Sequence, residues 1–368
     1  MNPHQNFHRQ SDPTTIDAPL THPTQRVVRF DFWLDPAFDR IVSAAPGVTL
    51  QTCAMEGADD QAWAALAQAQ VLQISAAKDD LPRRWFITAE LLQRCPQLLA
   101  VSSSGSGCDT IDIEACTCAG VLVMNQAGGN ADAVAEMAIG LMISVMRRIP
   151  ESDRYLRGGA RDFSREDLMG HELRGRTIGL VGVGEAGRRV AALARAFGMQ
   201  VIGTDPAFDT TQLAARGAEA VSLGELLRRA DIVSLHCPRN ASTLGLMDGQ
   251  AFAAMKPGAV FISTARGGIH DEAALHAALA SGHLAGAGLD VWDQEPPPAE
   301  HGLLKLPTVV ATFHTAGVTH EARRNNATLA ATQIVQLLAD GQPPARLVNP
   351  AAWPQASQRI AAALDRGT

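Results

Sequence analysis

The chain has 368 residues, 46% hydrophobic and 19% charged, with a net charge of −7, enough length for two packed domains. That charge and a pI near 5.9 give no electrostatic case for nucleic acid or an anionic membrane as a partner. Six cysteines, at 53, 95, 108, 116, 118 and 237, are scattered, so neither a disulfide framework nor a metal site is expected.

Residues 1–25 are polar and proline-bearing and lack an apolar segment, so they read as a loose tail and not a signal peptide. From Arg26 to Gln126, "RVVRFDFW", "AQVLQIS", "LLAVSSSGSG" and "GVLVMNQ" read as strands. "DDQAWAALAQA" and "TAELLQRC" read as helices between them. Strands alternating with helices predict a parallel sheet. A long helix is expected from Asn130, as N-cap, to about Arg148. Its apolar positions cover most of its circumference, so it should be buried. Its core "MAIGLMISVM" is too short to cross a bilayer, and a cytoplasmic protein is expected.

The second half repeats the alternation from "TIGLVGV" through "QVIGTD", "SLGELLRRA", "DIVSLHC", "GAVFISTA", "DEAALHAALASG", "LAGAGLDVW" and "TVVATF". A last helix is expected over Thr319–Ala339. The expected fold is α/β, with two Rossmann-like doubly wound domains and an active-site cleft between them. The division is a tail at 1–25, a discontinuous first domain at 26–126 plus 319–345, a second domain at 127–318, and a C-terminal tail at 346–368.

"GLVGVGEAGRRVA" places Gly182, Gly184 and Gly187 in G-x-G-x-x-G spacing between an apolar strand and a helix. That context suits a dinucleotide pyrophosphate, because the turn is tight and the helix start offers amides and a positive field. Asp205 ends the next strand, where a carboxylate accepts from a ribose diol and repels a 2′-phosphate. The expected cofactor is therefore NAD. Three further strand ends carry polar residues: Arg266 in "STARGG", Asp290 and Glu295 in "LDVWDQEPP", and His314 in "TFHTAG". Carboxyl ends of strands border the ligand crevice of such sheets. Taken singly, Arg266 reads equally as a clamp on carbonyls, Glu295 as a turn residue and His314 as a packed core histidine. Together, beside a dinucleotide turn, they read as chemistry.

The chain resembles the D-isomer-specific 2-hydroxyacid dehydrogenases. The resemblance rests on "NQAGGNADAVAE", "LRGRTIGLVGVGEAGRRVA", "LHCP", "MKPGAVFISTARGGIHDEAAL", "GAGLDVWDQEP" and "HTAGVTHEA". It implies that the first domain binds substrate and the second NAD. It implies that Arg266 binds the carboxylate and carbonyl of a 2-oxo acid, that His314 is the acid/base, and that Glu295 bonds His314 and supports its protonated form. Asp290 would hold the nicotinamide carboxamide. Glu185 and Ala186 would lie over the pyrophosphate. Thr264, Ala265, Arg266, His314 and Gly317 would line the nicotinamide side, with His236 packed nearby. Backbone of the Ala76–Ala77 and Ser104–Gly105 loops would grip the substrate, with Lys78, Arg83 or Arg84 as candidate cations. A homodimer is implied through the long helix.

Departures from the family pattern are Ser75-Ala76-Ala77 in place of an Arg-Ser pair, Arg239-Asn240 in place of Leu-Thr, His270 in place of Val, and Phe313 in place of Pro. The first argues modestly against 3-phosphoglycerate. His270, His276, His283 and His320 read as surface or helix residues, and "ARRNN" as a solvated helix face. An NAD(H)-sensing corepressor-like binding protein of the same fold is the alternative.

Overall fold

The computed structural model describes residues 25–365 other than 58, 160, 161 and 163. Its first half builds β1 (Gln25–Phe30), α1 (Ala37–Ser43), β2 (Val48–Cys53), α2 (Asp59–Leu66) and β3 (Val71–Ile74). It continues with α3 (Ala89–Arg94), β4 (Ala100–Ser103), α4 (Ile113–Cys118) and β5 (Leu122–Met124). These strands form one sheet in the order β2-β1-β3-β4-β5, and every pairing is parallel. The central strands β3 and β4 are buried along their whole length. Parallel sheets require this, because the crossover helices cover both faces.

Next come α5 (Ala131–Met146), α6 (Ile149–Arg157), β6 (Thr177–Val181), α7 (Glu185–Ala196), β7 (Gln200–Thr204), α8 (Thr210–Ala215) and β8 (Glu219–Ala220). They are followed by α9 (Leu223–Arg229), β9 (Ile232–Leu235), α10 (Gly249–Ala254), β10 (Ala259–Ser263), α11 (Glu272–Ala280), β11 (Leu284–Leu289) and β12 (Val309–Ala311). The second sheet runs β12-β11-β10-β9-β6-β7-β8. The step from β6 to β9 beside β7 is the switch point at which such sheets open a crevice. Two helices close the chain, α12 (His320–Asp340) and α13 (Trp353–Asp365).

The apolar helix α5 seats on the second sheet, and the glycines of "LAGAGL" make the seat. A Cβ on Gly288 would stand 2.8 Å from Leu141, and one on Gly286 would stand 2.7 Å from Val145. The helix is shorter than expected. It ends at Met146, Arg148 turns left-handed at φ 52°, and Pro150 restarts the chain as α6, a position that proline favours. Asn130 stands at the N-cap but caps nothing with its side chain. Its Oδ1 accepts from the Ser106 hydroxyl instead.

The polar tail expected at 1–25 lies, apart from Gln25, outside the described residues. The expected C-terminal tail is an ordered helix. Ala352, Ala356 and Ile360 join Ile334 and Leu337 of α12 in the core over the first sheet. Arg359 on α13 donates to the carbonyls of Pro96, Leu98, Ala119 and Gly120. Asn349, just before α13, donates to Val121 O and accepts from Val123 N beside β5. No helix among the described residues is long and apolar enough to cross a membrane.

Candidate active site

The loops after β3 and β4 in the first sheet face those after β10, β11 and β12 in the second, across a cavity of about 500 Å³. Ala76, Ala77, Lys78, Ser104, Gly105, Thr264, Arg266, Glu295, His314 and Gly317 all line it. Residues that lie hundreds of positions apart in sequence thus share one space.

His314 is bonded at Nδ1 to Glu295 Oε2, at 2.7 Å. This leaves Nε2 as the ring nitrogen open to a ligand. Burial pushes the Glu295 carboxyl up. Bonds from His314 and the Trp292 amide, with the charges of His314 and Arg266, outweigh that and hold it below its ordinary range. The ionised carboxylate bonded at Nδ1 fixes which ring nitrogen faces the cavity.

The imidazole is aimed by its backbone. His314 has φ 51°, a left-handed conformation that costs energy for any residue bearing a Cβ. Asp290 imposes it. Fully buried, Asp290 accepts from Thr312 Oγ1 at 2.6 Å, Thr315 N at 2.8 Å and Ala316 N at 2.8 Å, while its own carbonyl takes His314 N at 2.7 Å. Asp290, expected to hold the nicotinamide carboxamide, lies buried under the histidine loop, and its Oδ2 accepts from Ala316 N alone.

Gly182 stands at φ 93°, and a Cβ there would lie 2.6 Å from the Cys237 amide nitrogen. Gly187 brings α7 against Gly182 O, where a Cβ would lie at 2.2 Å. Above Gly184 there is no heavy atom within 4 Å of an added Cβ, so the turn leaves open space at the start of α7. Asp205 closes the turn, accepting from the Val183 and Ala207 amides at 2.8 and 3.0 Å. These features fit a dinucleotide, with an open glycine turn for the pyrophosphate and a carboxylate at the next strand end. Glu185 in the first turn of α7 pairs with Arg188 and Arg189, and Ala186 beside it is half-buried.

Thr264 lies between the cavity and His236. Ala265 is buried behind it, and its carbonyl accepts from Arg266 Nη1. His236 bonds Ser234 at 2.9 Å, and desolvation lowers it to about 4. It is therefore neutral near pH 7 and unsuited to proton donation.

Several expectations change on the substrate side. The Ala76 and Ala77 amides are already donated to Ser104 Oγ at 3.1 Å and Ser75 Oγ at 3.3 Å, so they are not free to grip a carboxylate. Of the three candidate cations only Lys78 lines the cavity. Arg84 turns outward to Met55 O and Glu56. Arg239 and Arg323 line it unforeseen, and Arg323 belongs to the "ARRNN" stretch expected to be solvated. Asn326, one turn further on, is buried and lines it too. The helical period placing 323 and 326 on one face was the available signal. His270, expected at the surface or on a helix, is 1% exposed against Phe261, as its place at an apolar family position suggests. Phe313 lines the cavity mouth with its ring 75% exposed.

Residues 139–316 match the family model described as D-isomer specific 2-hydroxyacid dehydrogenase, NAD binding domain. The chain is similar to the (S)-sulfolactate dehydrogenase of Chromohalobacter salexigens, 44% identical over 238 residues, covering 64% of this chain and 76% of that one. It is also similar to the D-3-phosphoglycerate dehydrogenase of Archaeoglobus fulgidus, 40% identical over 263 residues, covering 72% of this chain and 49% of that one. It spans about half the length of the D-3-phosphoglycerate dehydrogenases that it matches. Two solved structures share the whole layout. A glyoxylate reductase from Paecilomyes thermophila superposes with TM-score 0.78 at 29% identity over 89% of this chain and 98% of that one. Rhodotorula graminis D-mandelate dehydrogenase gives 0.77 at 30% identity, with the same coverage.

Proposed function

The chain belongs to the D-isomer-specific 2-hydroxyacid dehydrogenase family, and from that premise we propose that it interconverts a small D-2-hydroxy acid and its 2-oxo acid with NAD(H). The observation that carries this reading is His314 bonded to an ionised Glu295 and lining one cavity with Arg266. The corepressor alternative gains no support from the relatives cited, whose names are those of dehydrogenases and a reductase.

The glycine turn at 182–187 would hold the pyrophosphate and Asp205 the ribose, with Thr264 and Gly317 beside the nicotinamide. When bound, NAD(H) supplies or accepts the hydride at the substrate's second carbon. Arg266 takes the substrate carboxylate through its planar donors and polarises the adjacent carbonyl. In reduction, His314 donates the Nε2 proton to the carbonyl oxygen as negative charge develops there. In oxidation, the neutral ring removes the hydroxyl proton. Glu295 accepts a hydrogen bond from the Nδ1–H and offsets the positive ring, so one rotamer serves both directions. Reduction therefore needs the protonated histidine and weakens as pH rises, while oxidation follows the opposite limb.

A homodimer in the cytoplasm is part of the same proposal. Its support is the family and the exposed apolar residues Ile149, Leu156 and Met169 following α5. A sedimentation mass of one chain would remove it.

The test is NADH consumption with a panel of 2-oxo acids: glyoxylate, hydroxypyruvate, pyruvate, phenylpyruvate and 2-oxoglutarate. At least one is turned over, and His314→Ala lowers that rate by roughly 10²–10⁴-fold with NADH affinity held within a few-fold. NADH binding without turnover of any member would refute the enzyme reading.

A further inference from the structure

Arg266 is held from across the cleft. Its Nε donates to Asp109 Oδ2 at 3.1 Å, and Arg239 Nη2 donates to Asp109 Oδ1 at 2.9 Å. Asp109 comes from the turn after β4 in the first half. Both arginines come from loops of the second, Arg239 after β9 and Arg266 after β10. All three line the cavity that holds His314. Gly107 lies against the Arg266 guanidinium, where a Cβ would stand 2.4 Å from Nη2. The substrate-side turn is thus shaped to receive this arginine.

The charge count explains why two arginines meet one carboxylate. The side chains of Asp109, Arg239 and Arg266 are 16%, 30% and 28% exposed, so water screens them only in part. Were Asp109 paired with Arg266 alone, the pair would be neutral, and an incoming carboxylate would compete with an internal one for the same guanidinium. Arg239 offsets Asp109 and leaves the positive charge of Arg266 available. Asp109 occupies the Nε edge and Ala265 O accepts from Nη1, so the guanidinium plane is fixed while Nη2 lies over Gly107 at the cavity. Arg239 stands where the family pattern has leucine.

We propose that Asp109 and Arg239 are positioning residues for Arg266. Asp109 fixes the guanidinium's orientation from the opposite wall, and Arg239 neutralises Asp109 so that the substrate's carboxylate takes Arg266's remaining donors. The inference rests on the dehydrogenase reading.

The experiment is a double-mutant cycle on the full chain with NADH and the fastest 2-oxo acid of the panel. It compares wild type, Asp109→Asn, Arg239→Leu and the double variant, with melting temperature and NADH affinity measured alongside. Each single variant is expected to raise the 2-oxo acid KM by about tenfold or more, with a smaller fall in kcat and NADH affinity within about threefold. Arg239→Leu made on the Asp109→Asn background should change KM by less than about twofold, since no anion is left to neutralise. Arg239→Lys should recover part of the wild-type KM. Equal effects of Arg239→Leu in both backgrounds overturn the proposal, and so does an unchanged KM in either single variant. So does a KM change matched by an equal loss of NADH affinity, which marks a merely structural bridge. If Asp109→Asn does not fold, Arg239→Leu decides alone, and an unchanged KM overturns the proposal. A wild type inert with every acid overturns the dehydrogenase reading as well. An active wild type with an additive cycle overturns this inference only.

Discussion

His314 adopts a backbone conformation that its side chain disfavours, and the bonds that enforce it all lead to Asp290. Two carboxylates hold the ring in separate ways: Asp290 sets its backbone and Glu295 bonds its Nδ1. Glu295→Gln keeps a hydrogen-bonding side chain and removes the charge. It is expected to cut reduction near pH 7 by roughly 10–10²-fold and to move the pH–rate profile for reduction towards acid, since the protonated ring loses its counter-charge. An unmoved profile would contradict the assignment. The same lowered Glu295 contributes stability above the ordinary carboxylate range, and this is lost as pH falls through its depressed folded value. His270 carries an independent prediction. Burial lowers it to about 4 from 6.5, and both its ring nitrogens lack partners. The unfolded chain takes up a proton between those values and the folded chain does not, so stability falls as pH drops from 6.5 towards 4. His236 acts in the same window. His270→Val should therefore flatten about half of that acid loss in melting temperature, and should gain about 1 kcal/mol at neutral pH by removing an unpaired polar ring. A variant with an unchanged acid limb would count against this account.

Among the elements, the strongly patterned ones were legible and the weakly patterned ones were not. "TIGLVGV" and "GAVFISTA" are continuous apolar runs because parallel strands are covered on both faces, and they became β6 and β10. The edge strand β2 alternates weakly and exposes three of its six residues, so its sequence carries little signal. Helix α8 has six residues and is set by an Asp209–Gln212 capping box rather than by an apolar stripe. Helix α13 reads as a tail in the sequence because its anchoring is polar and remote. Arg359 reaches four carbonyls in loops more than two hundred residues earlier, a pairing that no local pattern encodes. Arg359→Met leaves those carbonyls without their donor and is expected to destabilise the protein by roughly 2–4 kcal/mol in thermal unfolding. A melting temperature equal to wild type would show that α13 contributes little to the first half's core.

For the whole molecule, the glycine turn and the Arg266–Glu295–His314 set were readable because each follows a strand end, and parallel strands deliver their ends to one edge. The placement of Asp109, Arg239 and Arg323 at the cavity was not readable. It depends on how one half faces the other, which spacing within either half does not determine. Arg266, Glu295 and His314 come from loops of the second half, and loops of the first half close the other side of their cavity. The central claim is that this geometry oxidises D-2-hydroxy acids. The most direct measurement is NAD reduction with each enantiomer of the 2-hydroxy acid whose 2-oxo acid is the fastest substrate, for wild type and for His314→Ala. The account predicts turnover of the D enantiomer alone, lost in His314→Ala. Equal rates with both enantiomers, or a His314→Ala rate near wild type, would contradict it.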